Sequence, residues 1–189
     1  MKAIIIPALL LASSIATAEE ITYTIDPTHT ATVFSWDHLG YSTPSANFKA
    51  INGEIVFNDT NPAQSKVNVI INTKSINTNV DMFDLKLQDT EWFNGAEFPT
   101  ITFDSTKVTP LENNQYKVDG VLTIKGISKV ISLNAKLNKK AIHPMAGGEA
   151  IGFNATTHFN RSDFEMGDYV PAVSDQINVN IKVEATAKE

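Results

Sequence analysis

Residues 177–185 read Ile177-Asn-Val179-Asn-Ile181-Lys-Val183-Glu-Ala185, with an apolar side chain at every second position. Successive side chains of a β-strand point to opposite faces, so this stretch predicts a strand with one apolar and one polar face. The same alternation recurs at residues 131–137 and 101–103. Because such runs extend from Thr22 to Ala185 with turn residues between them, the sequence predicts an all-β domain formed by one antiparallel sheet that folds back on itself.

The alternation predicts nine strands. No change of composition marks a linker between domains, and no internal repeat is visible, so residues 19–189 are expected to form a single domain. The predicted strands are Ile21–Ile25, Ala31–His38, Phe48–Asn58, Lys66–Asn72, Thr100–Val108, Tyr116–Ile124, Val130–Leu137, Glu149–Phe159 and Gln176–Ala185.

The segment from Asn79 to Gly95 does not follow the alternation. Val80, Phe83 and Leu87 have the spacing of one face of a short helix. Its N-terminal cap is expected at one of three polar residues, Ser75, Thr78 or Asn79. Two hypotheses are open for this helical insert: it covers the mouth of a barrel as a lid, or it only caps the core.

Residues 1–18 have the three regions of a secretory signal peptide. Lys2 supplies a positive charge, Ala3–Ala12 is apolar, and Ala16-Thr-Ala18 is a small-x-small cleavage site. We therefore expect cleavage after Ala18 and export to the periplasm. The cleavage site is not followed by a cysteine, so a lipid-anchored lipoprotein is not expected.

The composition excludes several classes of partner and chemistry. The formal charge is −6 and the chain has a single arginine, Arg161, so no basic stripe is available for nucleic acid. Cysteine is absent, which excludes thiol chemistry. The sequence lacks a nucleophile elbow, a zinc-protease motif and nucleotide-binding glycine motifs. Its four histidines have no ligand spacing, so neither a metal nor another cofactor is expected.

An outer-membrane barrel also consists of exported alternating strands, but its apolar face points outward. In this sequence the second face of the strands carries Asn, Lys, Asp and Glu, and the chain ends in Lys188-Glu189 without a terminal aromatic residue. This pattern favours a barrel whose apolar face points inward, without stable membrane insertion.

Two polar clusters interrupt the apolar pattern. Asp26 and His29 lie in the first, which spans residues 25–30 just before the second strand. The second spans residues 158–167 and holds Arg161 between Phe159 and Phe164. A buried charge is usually paired, so we expect an acidic partner for Arg161, with contact to a polar ligand group as the alternative.

The order of several short motifs resembles that of the YceI-like family, and the resemblance covers essentially the whole chain after residue 18. The motifs are Ile25–Thr30, Val33–Ser42, Ser75–Thr78, Phe93, Phe98–Ser105, Gly120–Gly126 and Asn160–Phe164. The resemblance implies an extended, lipocalin-like antiparallel barrel of about eight strands. It further implies that the barrel holds a polyisoprenoid or similar long amphiphile in the periplasm, with a homodimer as one option.

Strand parity puts Phe34, Trp36 and His38 on one face, and the resemblance implies that this face points into the lumen. The other residues expected to contact lipid in the lumen or at its mouth are Phe48, Phe57, Phe83, Leu87, Trp92, Phe93, Phe103, Leu122, Ile124, Phe164 and Met166. The residues expected near the head group or mouth are Asp26, His29, His158, Asn160, Arg161 and Asp163.

Two other functions remain open on the sequence. One is an enzyme that acts on a bound isoprenoid-like lipid, with His29 or His158 as the acid–base residue. The other is a ligand-free envelope stress-response protein whose phenylalanines fill the interior. The sequence also departs from the resembled family at Lys86 and Lys125, where histidine is usual, and this difference bears on the choice of head group.

Overall fold

The computed structural model describes residues 20–145 and 147–188; the predicted signal peptide and its cleavage site at Ala18 lie outside them. Within these ranges the chain forms eleven strands and one α-helix, α1, at Asp81–Lys86. The strands are β1 (Glu20–Ile25), β2 (Ala31–Ser35), β3 (Ser45–Phe48), β4 (Ile51–Asn58), β5 (Lys66–Asn72), β6 (Ile76–Asn77), β7 (Thr100–Pro110), β8 (Gln115–Ile124), β9 (Ile127–Ile142), β10 (Glu149–Asn160) and β11 (Gln176–Ala187).

These strands form one closed antiparallel barrel. The hydrogen-bonded order is β1-β4-β5-β7-β8-β9-β10-β11, and β1 pairs again with β11, which closes the ring. Strands β2, β3 and β6 continue β1, β4 and β5 at one end: β2 pairs with β11 and β3, and β3 pairs with β6. Three of the eight barrel strands are therefore broken in two, and the predicted lipocalin-like barrel of about eight strands is confirmed.

Breaks in the first three barrel strands explain the differences from the predicted bounds between residues 31 and 77, whereas β9 extends beyond the predicted Val130–Leu137 at both ends. The predicted strand at residues 31–38 ends at Ser35, because the chain then leaves the sheet and His38 makes only isolated bridges to Ser42 and Val173. The strand predicted at residues 48–58 is interrupted at Lys49 and Ala50. A short 3₁₀ turn at Thr73–Ser75 separates β5 from β6.

The break between β1 and β2 comes from the first polar cluster. The Asp26 carboxylate accepts hydrogen bonds from the Thr28 backbone N–H at 2.8 Å and from its hydroxyl at 2.6 Å. Such a side-chain turn competes with strand pairing, so the ladder stops here and resumes at Ala31. The chain crosses from β1 to β2 through this turn.

Alternation along the strands places the apolar side chains inside the barrel. On β8, every second residue from Val118 to Ile124, including Gly120, is buried, while Lys117 faces the solvent. Two buried clusters result. The larger extends from the middle of the barrel to α1, and the smaller, which includes Tyr23 and Phe57, lies at the opposite end.

Helix α1 lies between β6 and β7 at the end of the barrel that we call the mouth. Phe83 and Leu87 pack against the larger cluster as predicted, but Val80 is 56% exposed and does not share their face. The predicted capping residues do not occupy the N-cap position either, because Val80 does, without a side-chain cap. Thr78 instead donates its backbone N–H and its hydroxyl to the Asp84 carboxylate. In the described part of the chain, no helix has the length and apolar character needed to cross a membrane.

Gly120 of β8 lies where the side chains and backbone of β7 leave no room for a Cβ atom. A Cβ atom at this position would lie 2.4 Å from Cζ of Phe103 and 2.7 Å from the Asp104 carbonyl oxygen. We predict that Gly120→Ala lowers the free energy of unfolding by about 1–3 kcal/mol, because an overpacked interior must shift its backbone or a ring. Urea denaturation measures the change.

Gly152→Ala is the matched control, since a Cβ there would contact only the Val183 carbonyl, at 3.8 Å. We expect this control to be neutral or to stabilise by up to about 1 kcal/mol. Equal effects of the two substitutions would contradict the close-packing explanation.

Candidate functional site

The barrel encloses a cavity of about 610 Å³. Its lining comes from every strand except β6, from α1 and from the segments that follow β2, α1 and β10. Along β8 the lining runs from Tyr116 to Ile124. Eight residue steps of ~3.3 Å on a strand tilted by ~40° give a depth of roughly 20 Å. The volume lies in the range of small-molecule pockets, about 300–1,000 Å³.

Thirteen of the fourteen predicted lumen residues line this cavity. The exception is Phe164, which is fully buried and packs edge-on against Phe159, with the ring centroids 5.4 Å apart. The structure thus brings together Phe34, Trp36, His38, Phe48, Phe57, Phe83, Leu87, Trp92, Phe93, Phe103, Leu122, Ile124 and Met166. The lipid contact assigned to them remains a prediction.

A group of aromatic rings forms one side of the cavity near the mouth. Phe34 lies 5.9 Å from Trp36 and 5.5 Å from Phe48, measured between ring centroids. Trp36 contacts Phe83 of α1 edge-on at 6.1 Å, and Phe48 contacts Phe93 at 5.7 Å. The helical insert therefore contributes its own rings to the cavity wall, an arrangement that fits both a lid and a cap on the core.

Among the six residues predicted near the head group or mouth, only Arg161 lines the cavity. His158 and Asn160 alternate on β10 with Thr157 and Phe159, which point inward, so these two polar side chains point to the solvent. Asp163 is exposed in the 3₁₀ turn that follows.

Asp26 and His29 also lie outside the cavity, in the turn between β1 and β2. Nδ1 of His29 lies 2.7 Å from the Asp26 carboxylate. The acid–base role considered for His29 and His158 is therefore not supported by their positions. Within residues 20–145 and 147–188, no three His, Asp or Glu side chains group in a way that could hold a metal ion.

Arg161 is 4% exposed, and its partners differ from the predicted acid. Its guanidinium donates to backbone carbonyls: Nε to Ser174 at 3.0 Å, Nη2 to Val173 at 3.0 Å, and Nη1 to Met166. Burial lowers the pKa of the guanidinium, while Asp175 and Asp168 act in the opposite direction through space. The predicted ion pair is wrong, because the backbone of the loop after β10 supplies the acceptors.

Aromatic rings complete the surroundings of Arg161. The guanidinium carbon lies 5.5 Å from the centre of the Trp92 ring, a cation–π distance. Trp92 in turn stacks on Tyr169 at 6.5 Å between centroids. Arg161 thus joins the segment after α1 to the segment after β10 at the mouth.

The two lysines noted in the sequence have different surroundings. Lys86 lines the cavity, and its ammonium group lies 2.9 Å from the Asp89 carboxylate, which raises the lysine pKa. Lys125 does not line the cavity; its ammonium group donates to the Glu165 carbonyl at 3.1 Å. Only Lys86 is positioned to influence a ligand in the cavity.

Charge is distributed unevenly around the barrel. The four connections at the mouth (residues 36–44, 78–99, 125–126 and 161–175) carry ten acidic and three basic side chains, a net charge of −7 against −6 for the whole chain. The described residues that line the cavity nevertheless include no carboxylate, and their charged members are Lys86 and Arg161. The carboxylates of these connections lie outside the lining, and two of the three basic groups, Lys86 and Arg161, border the lumen.

Several lining residues were missed by the sequence analysis. Tyr116 and Phe153 lie on predicted strands and share the inward parity of Leu122 and Ala155, so continued alternation would have identified them. Tyr169 and Val173 lie in the long loop after β10, where no periodic signal exists. Only the folded path of that loop brings them to the mouth.

Comparison with known proteins identifies the family. The YceI-like domain matches residues 23–185. The chain is 34% identical over 182 residues to Protein YceI of Salmonella arizonae and, equally, of Salmonella enteritidis, covering 96% of this chain and 94% of theirs. The chain belongs to the YceI-like family.

Solved structures share the fold. A YceI protein of Campylobacter jejuni is 35% identical and superposes with a TM-score of 0.73 over 81% of this chain and 90% of its own. BcnA of Burkholderia cenocepacia gives 0.78 at 20% identity, covering 86% of this chain and 99% of its own. A polyisoprenoid-binding domain of Saccharophagus degradans, implicated in plant cell wall breakdown, gives 0.67 at 15% identity, with coverages of 89% and 99%.

We predict that Arg161→Ala lowers the free energy of unfolding by about 3 kcal/mol or more, because it leaves buried carbonyls without donors. Arg161→Lys should restore less than half of the loss, since an ammonium group cannot reproduce the guanidinium fork. Chemical denaturation of both variants measures the difference. A loss below about 0.5 kcal/mol for the alanine variant would show that the carbonyls find other donors.

The contact between Asp26 and His29 predicts a titration effect. Its hydrogen bond raises the pKa of His29 above the ordinary 6.5 and lowers that of Asp26 to about 2. The contribution of His29 to stability is therefore fully present below pH 6.5 and is lost as the pH rises through its higher folded-state pKa. NMR titration should show that Asp26→Asn lowers the His29 pKa, and that Glu184→Gln, which removes a weaker influence, lowers it less. An unchanged pKa in Asp26→Asn would contradict the pairing in solution.

Proposed function

We propose that this protein binds a polyisoprenoid or similar long-chain amphiphilic lipid, such as an isoprenoid quinone or a fatty derivative, in the lumen of its barrel. The observation that carries the proposal is the closed barrel with a cavity of about 610 Å³ whose lining is mostly hydrocarbon and aromatic. The ligand would be transported, stored or sequestered in this lumen.

The physical basis is the transfer of hydrocarbon out of water. A buried methylene contributes about 0.8 kcal/mol, so a long chain binds tightly without many specific contacts. Such a site selects mainly by length and shape, because an apolar wall distinguishes chemical detail only weakly. Large rings such as Phe34, Trp36 and Phe48 suit a bulky, branched chain as well as a straight one.

The polar end of the ligand would lie at the mouth. Arg161 and Lys86 are the charged groups at the cavity, and His38 is nearby in the lining. A neutral or anionic head group is compatible with these neighbours, whereas a cationic one would be repelled. Because Arg161 already donates to three carbonyls, its main effect on a head group would be its positive charge.

Two comparisons support an isoprenoid as the ligand class. The chain belongs to the YceI-like family, and a structurally similar domain from Saccharophagus degradans is described as polyisoprenoid-binding. The signal-peptide pattern of residues 1–18 supports a periplasmic location. The proposal also includes a homodimer, for which the family resemblance is the sole support.

A pair of substitutions on β2 tests the proposal. Phe34 lines the cavity, and its neighbour Val33 is 37% exposed on the opposite face. We expect Phe34→Asp to weaken binding of a polyprenol or a fluorescent fatty-acid probe at least about a hundredfold, because the site would bury an unpaired charge. Val33→Asp, with the same change one residue away, should bind as the unmodified protein does. Fluorescence titration of delipidated protein measures both.

Circular dichroism of the two variants separates loss of binding from loss of fold. Native mass spectrometry of protein purified from its own envelope would identify the bound ligand and count the subunits. If the unmodified delipidated protein takes up neither a prenol nor a fatty probe, the lipid-binding function is wrong.

A further inference from the structure

Three aromatic rings meet at the end of the cavity farthest from the mouth. They belong to Phe57 on β4, Tyr116 on β8 and Phe153 on β10, and all three line the cavity. The centroid distances are 6.1 Å between Phe57 and Tyr116, 6.0 Å between Phe57 and Phe153, and 6.2 Å between Tyr116 and Phe153. The planes meet at 81°, 64° and 74°, so each ring contacts the other two edge to face.

The strands that carry these rings are not neighbours. In the closed order of the barrel, β4 and β8 are three strands apart, β8 and β10 are two apart, and β10 and β4 are again three apart. Side chains from such separated points reach each other only by crossing the lumen. The three rings therefore meet inside the barrel and close it at this level.

The aromatic rings near the mouth are arranged differently. Phe34 and Phe48 are on the paired strands β2 and β3, and Trp36 follows directly after β2. Their contacts run along one side of the barrel and continue to Phe83 on α1. These rings form a wall beside the lumen, and the Phe57–Tyr116–Phe153 cluster forms a floor across it.

A polar network supports the floor at the same end. Tyr23 is fully buried in the same cluster as Phe57 without lining the cavity, and its hydroxyl donates to the Glu149 carboxylate. The Lys140 ammonium group lies 3.3 Å from Glu149 and pairs with Asp59. Lys140, Glu149 and Asp59 are partly exposed, so this network lies at the solvent-facing side of the closed end.

We infer that Phe57, Tyr116 and Phe153 set the longest chain that the lumen accepts. The inference rests on the proposed lipid binding and adds selectivity for length to it. Affinity should rise about fourfold with each methylene until the end of the chain reaches the floor, and should then stop rising. The chain length at this break is the measurable property of the floor.

The experiment is a competition series. Saturated fatty acids of increasing length, each below its critical micelle concentration, displace N-phenyl-1-naphthylamine from the delipidated protein. The matching fatty alcohols form a second series that lacks the carboxylate. Because the floor contacts the far end of the chain, both series should break at the same length.

Phe153→Ala removes one ring of the floor and should move the break to chains longer by about two to four carbon atoms, since the space of a lost phenyl ring is comparable to a benzene-sized molecule. Phe159→Ala is the matched control, because Phe159 lines the cavity from the same strand near the mouth. It removes the same group and should leave the break in place.

Ala155→Leu tests whether a smaller lumen shortens the longest chain that binds. This variant adds side-chain volume, so its result does not depend on whether a truncated core remains stable. Ala155 is buried in the lining on the same face of β10 as Phe153, two residues closer to the mouth. The larger side chain should move the break to shorter chains.

The outcomes separate the two proposals. If no acid or alcohol displaces the probe from the unmodified protein, lipid binding fails and the length limit fails with it. If chains bind but the break is the same in the unmodified protein, Phe153→Ala and Ala155→Leu, the floor alone is wrong. The floor is also wrong if Phe159→Ala moves the break as far as Phe153→Ala does. The length limit would then depend on the total volume of the cavity and not on the three rings.

Discussion

The pairing of β1 with β11 is the constraint on which the rest of this structure depends. It joins the first and last strands over Tyr23–Ile25 and Ala185–Ala187, so the eight-membered sheet has no free edge along its base. Once the sheet is closed, alternation assigns every second side chain to the interior. An eight-stranded barrel is wide enough to hold one small ligand, and the cavity follows from the number of strands together with the side chains that project into it.

Closure has a different form at the mouth. Strand β11 pairs with β1 at one end and with β2 over Asn178–Lys182, so the barrel wall continues past the break at residues 26–30. The chain leaves the ladder after β2. The loop after β10 lies at the same end, and its backbone carbonyls need hydrogen-bond donors other than a neighbouring strand. Arg161 donates to three of their carbonyls and contacts Trp92. A single buried cation thus organises the open end, while the base is held by strand pairing and a network of charged side chains.

The two ends therefore offer a ligand different surroundings. The mouth combines Arg161 and Lys86 with loop segments and a helix, elements that can adapt more easily than a sheet. The base is crossed by three rings carried on β4, β8 and β10, which are fixed by hydrogen bonds on both sides. Under the proposed lipid binding, entry and head-group contact would belong to the adaptable end, and the limit on chain length would belong to the rigid one.

Local pattern in the sequence was sufficient to predict the all-β class and to put Phe34, Trp36 and His38 on one face, because the side chains of a strand repeat every two residues. That this face points into the lumen was implied by the resemblance to the YceI-like family. The local pattern also indicated that Arg161 is buried, since its neighbours are aromatic. The partners of Arg161, the outward positions of Asp26 and His158, and the meeting of Phe57 with Tyr116 and Phe153 were decided only by the tertiary structure. Each depends on where a loop or a distant strand lies after closure, and contacts between residues far apart in the chain leave no periodic signal in the sequence.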